Sequence, residues 1–341
     1  MLPKNIPLKL AVALCLMSAA IPLSCKKNGS NKTIPGSSHN VYIAGYTISQ
    51  TGSYTATYWK NDSPVNLPNS QGSGAYPQAN AIFTNGSDIY VAGSNRGNGL
   101  FWKNQALQPI LNAVNLNPKS IFITGGDVYV AGDSVHDYPS NLNSYGTFWK
   151  NNVPVYLPTC NLSTGITVSG NDVYISGSGA GKAAYWKNGN PVYLTALGAN
   201  TGYAFGIAVS GQDVYVTGDT ATSYTGLESV YWKNGIAMHL ENGIHASGIA
   251  IAENGDVYVS GQSTVNFNSR ATYWKNGKSI ILSNAPSDAK AIALSGEDVY
   301  VVGDTVAPFQ IPTAVYWKNG VMKALTQGTV SSSATSIFIE N

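Results

Sequence analysis

Short apolar runs alternate along this chain with turns rich in Gly, Asn and Ser. Two of these runs recur in alternation, a Val/Ile-Tyr run such as VYVVG at 299–303 and a Tyr/Phe-Trp run such as VYWKNG at 315–320. Residues 291–325 contain one whole unit, in which we predict four strands over AIAL, DVYVVG, TAVYWK and VMKAL. The inner strands of the unit are apolar on both faces, which is typical of strands that are covered on both sides.

The Val/Ile-Tyr run occurs seven times, and its tyrosines are separated by 39 to 48 residues. Four strands in a repeat of about 40–45 residues are typical of one blade of a β-propeller. The pattern begins at NVYIAG (40–45), which matches a second strand, and ends at TSIFIEN (335–341), which matches a first strand. The sequence therefore predicts an all-β, seven-bladed β-propeller over residues 40–341, with four-stranded blades. The C-terminal strand should complete the first blade and close the ring by one-plus-three pairing.

Polar residues repeat together with the strands. The Asn-Gly of YWKNG suits a type I′ hairpin between the third and fourth strands, and Asp62, Gln105 and Asn152 replace this Gly in the first three units. We expect the Asp that opens each second strand to pair with the Lys that closes the third strand, and in the first unit Asn40 should lie opposite Lys60. The six predicted pairs are Asp88–Lys103, Asp127–Lys150, Asp172–Lys187, Asp213–Lys233, Asp256–Lys275 and Asp298–Lys318.

Every Trp of the protein lies in a predicted third strand, next to a Tyr or a Phe. Adjacent side chains of a strand point to opposite faces, and both faces of a propeller blade meet other blades. We therefore predict that the Trp side chains pack between blades and do not form a ring of ligand sites. They are Trp59, Trp102, Trp149, Trp186, Trp232, Trp274 and Trp317.

The N-terminal segment predicts export. Lys4 and Lys9 lie at the N-terminal side of an apolar run that is short for a membrane span and is soon followed by polar residues. IPLSC (21–25) resembles the lipobox of bacterial lipoproteins, and SCKK is similar to lipoproteins of the Bacteroidota. This resemblance implies a signal peptide over 1–24, a lipid on Cys25, a flexible tether over 25–39 and an envelope location, in the outer membrane. The alternative is ordinary signal cleavage that leaves Cys25 as a free thiol.

The repeat itself resembles a known class. Units of the form VYVxG, variable loop, YWKNG and a late Leu are similar to the HAF-type extracellular repeats and, more broadly, to seven-bladed propeller lipoproteins. The similarity covers residues 40–341. It implies blades and implies no particular activity.

Composition narrows the range of partners. Charged residues are 11% of the chain and the formal net charge is +2, which falls to about zero when Lys4 and Lys9 are removed with the signal. Most of the remaining charges belong to the predicted pairs, so nucleic acid and polyanionic partners are disfavoured. Loss of Cys15 and acylation of Cys25 would leave Cys160 alone, without an intramolecular disulfide. We expect Cys160 to be a small buried residue and not a nucleophile.

Candidate binding residues lie in the connections that vary. The turns between first and second strands are tight and repeated, whereas the loops at the opposite face differ in length from blade to blade, and such loops on a rigid scaffold usually carry function. Tyr54 and His245 belong to this set, and the alternative for each member is an ordinary solvated loop residue. The principal candidates are Tyr46, Tyr76, Arg96, Asp133, His136, Asp137, Tyr138, Tyr203, Tyr224, Arg270 and Phe309.

Metal, cofactor and catalytic signals are weak. Asp133, Asp219 and Asp304 each follow a second strand, but their blades are spread around the ring, so we expect them to cap turns and not to bind one metal ion. The sequence has no GxSxG, no HExxH and no Cys-His cluster. We therefore predict no catalytic residues, no metal and no cofactor.

The leading hypothesis is a monomeric envelope lipoprotein, without catalysis, that presents its variable loop face to a glycan or to an envelope protein. A second hypothesis is a polysaccharide-acting enzyme, a glycosidase or a lyase. It requires two carboxylates, or a Tyr-His-Arg cluster, that converge at the mouth of the channel. A third is a structural or assembly scaffold.

Overall fold

The computed structural model describes residues 39–69, 75–108, 116–135, 144–194, 201–222, 226–306, 311–327 and 330–340. These residues form strands, and none of them belongs to a helix long and apolar enough to cross a membrane.

The strands, in chain order, are β1 (Asn40–Ile48), β2 (Tyr54–Lys60), β3 (Ser63–Asn66), β4 (Pro77–Asn85), β5 (Asp88–Asn95), β6 (Asn98–Lys103), β7 (Ala106–Gln108), β8 (Leu116–Thr124), β9 (Asp127–Val135), β10 (Ser144–Lys150), β11 (Val153–Tyr156), β12 (Cys160–Ser169), β13 (Asp172–Gly179), β14 (Lys182–Lys187), β15 (Asn190–Tyr193), β16 (Thr201–Ser210), β17 (Asp213–Thr222), β18 (Gly226–Lys233), β19 (Ile236–His239), β20 (Gly243–Ile251), β21 (Val257–Val265), β22 (Asn268–Lys275), β23 (Lys278–Ile281), β24 (Ser287–Ser295), β25 (Asp298–Thr305), β26 (Thr313–Lys318), β27 (Val321–Ala324) and β28 (Ser331–Glu340).

Seven antiparallel sheets of four strands each form the ring of a seven-bladed β-propeller, as the repeat predicts. Blades 2 to 7 each use four strands that are consecutive in the chain, from β4–β7 to β24–β27. Blade 1 has the order β28-β1-β2-β3, and β1 pairs with β28 from Asn40 opposite Glu340 to Ile48 opposite Ser331. The one-plus-three closure is therefore confirmed.

The predicted Asp–Lys pairs are confirmed in all six blades that have them, with N–O distances of 2.7 or 2.8 Å. The turn Asn adds bonds that we did not predict. In blade 4, the Asn188 side chain donates to Asp172 (2.7 Å) and accepts the N–H of Val173 (2.9 Å). Blade 1 differs because Asn40 takes the place of the Asp, and its side chain bonds to Asn61 and Glu340. The repeated Asn therefore clamps the start of the second strand to the hairpin.

Both central residues of these hairpins have positive φ, which the type I′ turn requires. The three positions without Gly also adopt it, with φ of 70° at Asp62, 67° at Gln105 and 66° at Asn152. The predicted hairpin is therefore preserved in every blade.

The Trp side chains are the core of the blade interfaces. Six of them have no exposed surface and Trp149 is 4% exposed, so the predicted packing role is confirmed. Each Trp that belongs to a buried apolar cluster packs against the preceding blade. Trp232 of blade 5, for example, packs with Ala183 and Leu194 of blade 4. The indole N–H of Trp186 donates to the Pro158 carbonyl at 2.9 Å, in the loop that leaves blade 3. The Trp side chain therefore fills the interface between two blades and also links them by a hydrogen bond.

Each first strand contains a β-bulge at the same level. At this level the first strand has one residue more than the second strand, three or four residues after the strand start, where the chain enters from the variable loop face. The first strands of blades 4 and 6 contain a further bulge nearer their start. A bulge redirects a side chain away from the regular alternation. The bulged residues are Thr335, Asn80, Lys119, Thr164, Phe205, Ser247 and Lys290 in blades 1 to 7.

The Gly that ends each VYVxG run makes room for this bulge. A Cβ on Gly218 would lie 2.0 Å from the carbonyl oxygen of Tyr203 and 2.9 Å from the Trp232 ring. The equivalent Gly in the other six blades would meet a first-strand carbonyl at 1.8 to 2.3 Å. A side chain cannot be accommodated there without moving backbone, so the repeated Gly is a packing requirement.

Several bulged side chains bond to the next blade. Thr335 donates to the carbonyl of Ala79 (2.7 Å), and Asn80 donates to that of Pro118 (2.7 Å). Thr164 likewise donates to the Ala204 carbonyl at 2.8 Å. These bonds run in one direction around the ring and form a collar at the inner edge of the blades.

We expect Trp232→Ala to lower the free energy of unfolding by about 3–5 kcal/mol, because it leaves a cavity between two blades. Urea denaturation measures the loss. Phe267→Ala is the control: Phe267 is fully exposed, and its truncation should change stability by less than about 0.5 kcal/mol. Equal stability of the two variants would contradict the packing role of the Trp.

We expect Gly218→Ala to cost about 3 kcal/mol, the upper part of the range for overpacking, since the obstructing atom belongs to the backbone. Gly211→Ala is the comparison, because a Cβ there meets no atom within 4 Å and only its φ of 60° is unfavourable. Its loss should be about 1 kcal/mol. A Gly218→Ala variant as stable as Gly211→Ala would show that the bulge relaxes easily.

Candidate functional site

The first strands surround a central cavity of about 520 Å³. Near the variable loop face its wall carries polar bulged residues, such as Lys119 and Lys290. Farther along the same strands the wall is apolar, and the Phe83 ring lies 5.2 Å from that of Phe122 and 4.4 Å from that of Phe338. The cavity is therefore polar at its mouth and apolar at its other end.

A groove of about 480 Å³ lies on the variable face between blades 1, 2 and 3. Asn80 and Lys119 line both the groove and the central cavity, so the groove opens into the channel mouth. Its remaining lining residues are Tyr54, Tyr76, Gln78, Ser94, Arg96, Gly97 and Asn117.

The structure brings four of the predicted candidates together in and beside this groove. The Tyr46 and Tyr54 rings stack with centroids 5.5 Å apart, and Tyr54 meets the edge of Tyr76 at 4.8 Å. The Arg96 guanidinium lies 4.5 Å from the centre of the Tyr76 ring. Arg96 has a φ of 50°, a left-handed conformation that is uncommon outside Gly and Asn. Blades 1 and 2 thus share one aromatic surface capped by a cation.

Asp133, Asp219 and Asp304 lie within the second strands β9, β17 and β25 and not after them, and their role differs from the turn capping that we expected. Asp133 pairs with Lys119, Asp219 with His245 and Asp304 with Lys290. Each carboxylate also bonds to the first strand of the next blade, to the N–H of Ser163 (2.9 Å), the N–H of Ala246 (3.0 Å) or the hydroxyl of Ser333 (2.7 Å). They tie blades together around the mouth and hold its cations, of which Lys119 and Lys290 are bulged residues.

His245 is the most constrained of these groups. Its Nδ1 lies 2.7 Å from Asp219 Oδ2, and its ring meets the Phe205 ring edge-on at 4.8 Å. Asp219 is buried and also accepts from the Ser229 hydroxyl at 2.9 Å. Desolvation lowers the pKa of His245, but the hydrogen bond and charge of Asp219, with the charge of Asp288, outweigh it and raise the pKa above 6.5. His245 lies in β20 and not in a loop, and its partner could not be found from sequence spacing.

Asp288 was missed in the sequence. It is the second residue of β24. Asp288 and His245 occupy equivalent positions in blades 7 and 6, because each directly precedes the Ala that lies opposite the Gly of the second strand. Its Oδ1 is buried and has no hydrogen-bond partner among the described residues. Burial raises the pKa of Asp288, and Asp304 adds to this, against the opposing charges of Lys290 and His245.

The other candidates do not join the groove. Tyr203 is half exposed and lies opposite Asp219 in the β16–β17 register. Arg270 is partly buried in β22, and one guanidinium nitrogen has no hydrogen-bond partner among the described residues. The remaining candidates, His136, Asp137, Tyr138, Tyr224 and Phe309, lie outside the described residues.

Cys160 is buried, as expected, and burial raises the pKa of its thiol to about 12. It is therefore protonated at neutral pH and is a poor nucleophile. Within the described ranges, no group of three or more His, Cys, Asp or Glu side chains could hold a metal ion.

No family model matches this chain, and no curated protein matches it. A puromycin-hydrolysing peptidase from Mycobacterium tuberculosis is similar over 85% of this chain and 52% of its own, with 12% identity and a TM-score of 0.57. The computationally designed protein Ika8 matches 84% of this chain and 85% of its own, with 14% identity and a TM-score of 0.50. The extracellular domain of BT4673 from B. thetaiotaomicron matches 78% of this chain and 37% of its own, with 12% identity and a TM-score of 0.46. This chain thus spans about half the length of the peptidase, and at such identities the likeness shows the fold alone.

We expect the His245–Asp219 pair to stabilise the fold most at low pH. The pKa of His245 is raised in the folded state, so the stabilisation is complete below about 6.5 and is lost as pH rises through the raised value. The loss of unfolding free energy in His245→Asn should therefore be larger at about pH 5 than at about pH 9. Urea denaturation at the two pH values measures it, and an equal loss at both would contradict a charged pair.

Proposed function

We propose that this protein is a binding propeller, without catalysis, that takes a glycan in the groove beside its channel mouth. One observation carries the proposal: the aromatic surface of Tyr54 and Tyr76, with Arg96, lines a groove that is continuous with the central cavity. The volume of about 480 Å³ is within the range of small-ligand sites.

The lining chemistry supports a sugar. Aromatic faces pack against the apolar faces of sugar rings, while amides and hydroxyls bond to sugar hydroxyls. The groove supplies both kinds of group, with Gln78, Asn80 and Asn117 beside the tyrosines. Its inner cation, Lys119, is already paired with Asp133, which makes a polyanionic ligand less suitable. A protein ligand on the same face is the alternative within this class.

The proposed location of the protein in the cell envelope rests on the sequence. The resemblance of IPLSC and SCKK to lipoprotein signals supports export and a lipid on Cys25, followed by a tether that connects the propeller to the outer membrane. A monomer held in this way would display its loop face to envelope components.

A second candidate is an enzyme that acts on polysaccharide at the channel mouth. The observation in its favour is the His245–Asp219 pair with the Asp288 carboxylate nearby, since a His held by a buried carboxylate is one arrangement of a general base. Release of shorter products from the saccharides offered in the binding experiments would support it. The uneven, pocketed loop face argues against a purely structural scaffold.

We expect Tyr76→Ala to raise the Kd for a bound glycan about tenfold, because it removes the ring on which Arg96 stacks and a sugar can pack. Binding is first detected on a glycan array with the Cys25→Ser protein, which cannot be acylated, and is then measured by calorimetry. Tyr193→Ala is the matched control, because Tyr193 and Tyr76 are both 41% exposed but Tyr193 lies on the outer strand of blade 4.

The control variant should bind as the wild type does. Absence of any glycan signal for the wild type, or equal affinity of the two Tyr variants, would count against a glycan in this groove.

A further inference from the structure

The charges that line the groove do not balance. Its lining residues include two cations, Arg96 and Lys119, and no carboxylate. Lys119 is compensated by Asp133, which also accepts the N–H of Ser163 at 2.9 Å and so belongs to the tie between blades 3 and 4. Arg96 forms no ion pair with a described residue. Within the described part of the chain, the groove therefore carries one positive charge that is not compensated.

The hydrogen-bond donors of Arg96 are also unused. The guanidinium carbon lies over the Tyr76 ring, 4.5 Å from its centre, and no N–H of the group donates to another described residue. Contact with an aromatic ring leaves the fork of N–H donors available. Two of these donors can bond in parallel to the two oxygens of one carboxylate, a charge-assisted pair that a hydroxyl cannot form.

Arg96 and Tyr76 are fixed relative to each other. Asn95, the buried residue before Arg96, accepts the N–H of Tyr76 at 2.8 Å. The same hairpin position in blade 4 holds Ala180, with a φ of 51° against 50° for Arg96, so the turn itself does not require a long cation. A cation that is held in place before binding loses little conformational freedom when it meets an anion.

We propose that the ligand of this groove is an acidic saccharide with one carboxylate, which Arg96 binds while a sugar ring packs on the tyrosines. The proposal rests on the proposed glycan-binding function and specifies the class of its ligand. One uncompensated cation matches one carboxylate. A saccharide with a carboxylate on every sugar would place further charges where no described cation is free, and desolvation of those charges would cost affinity.

The other polar groups of the groove fit the neutral part of such a ligand. The side chains of Gln78 and Asn117 line the groove and form no hydrogen bond with a described residue. An amide both donates and accepts, so each can bond to sugar hydroxyls of either orientation. The groove thus has one place for a charge and several for hydroxyls.

The experiment compares saccharides that differ by one acidic group. Calorimetry on the Cys25→Ser protein uses two pairs, which are xylotetraose with xylotriose that carries one glucuronic acid, and lactose with sialyllactose. Sulfated lactose and hexagalacturonate test a sulfate and a polyacid. We expect the acidic member of at least one pair to bind about tenfold or more tightly than its neutral partner, because it adds hydrogen bonds between charged groups.

Variants of Arg96 assign the preference to this side chain. Arg96→Gln should raise the Kd of the acidic member about ten- to one-hundredfold and leave that of the neutral member almost unchanged. Arg96→Lys keeps the charge without the fork and should restore only part of the preference. Lys278→Gln is the control, because it removes an exposed cation on the outer strand β23 and should change neither Kd. Thermal unfolding checks that each variant is folded.

A measurement on the wild type alone guards against a variant that does not fold. A rise in NaCl from about 50 mM to about 500 mM should weaken binding of the acidic member several-fold, since salt screens a pair of exposed charges. The neutral member should bind equally at both concentrations. Salt-independent binding of the acidic member would contradict an ion pair with Arg96.

The failures are distinguishable. If both members of each pair bind equally while Tyr76→Ala weakens them, the groove is a glycan site and the acid specificity is wrong. If Arg96→Gln binds the acidic member as the wild type does, Arg96 is not the group that recognises it. If hexagalacturonate or sulfated lactose binds more tightly than the probes with one carboxylate, the single carboxylate is wrong. If no saccharide binds the wild type, the glycan function and its specificity fail together.

Discussion

The propeller depends on a close approach between the first and second strands of each blade, which only Gly allows at the end of the VYVxG run. A first-strand carbonyl occupies the place where a Cβ would be, 1.8 to 2.3 Å away in every blade. This close approach allows the bulge in the first strand, and in several blades the same Gly lies against the Trp ring, as Gly218 does against Trp232. The bulge, the Trp interface and the inner edge of the ring are therefore one packing unit, repeated seven times.

Most of the bulged side chains whose contacts are described take part in building the ring. Thr335, Asn80 and Thr164 use their bulged side chains to bond to the next blade, so they are committed to the collar. Lys119 and Lys290 are held by carboxylates from the second strands. The rest of the mouth is uneven, with aromatic rings and Arg96 on one side and the His245–Asp219 pair on another. The candidate site therefore lies where the side chains do not repeat from blade to blade.

The apolar pattern was sufficient to predict the blades, the ring closure and the burial of the Trp, and the repeated polar residues predicted the Asp–Lys pairs. Each of these features depends on local periodicity or on residues that are close in one hairpin. The bulges were not predicted, because an extra residue in the first strand does not change the apolar run that identifies the strand, such as AIAL. His245, the partner of Asp219, and Ser333, a partner of Asp304, lie on other blades, where sequence spacing carries no information. For the same reason Tyr46, Tyr76 and Arg96 could be proposed one by one, but their mutual stacking follows only from the way blades 1 and 2 adjoin.

Ring closure and the candidate site are parts of one arrangement. β28 completes blade 1, and its Ser333 also bonds to both Lys290 and Asp304 of blade 7. Thr335, two residues later, continues the collar into blade 2. The C-terminal strand therefore fixes the charged groups beside Asp288 while it joins the first and last blades. A mouth built in this way is rigid because its polar groups belong to the closure of the ring, which favours recognition by prepositioned groups over recognition by loops that order on binding.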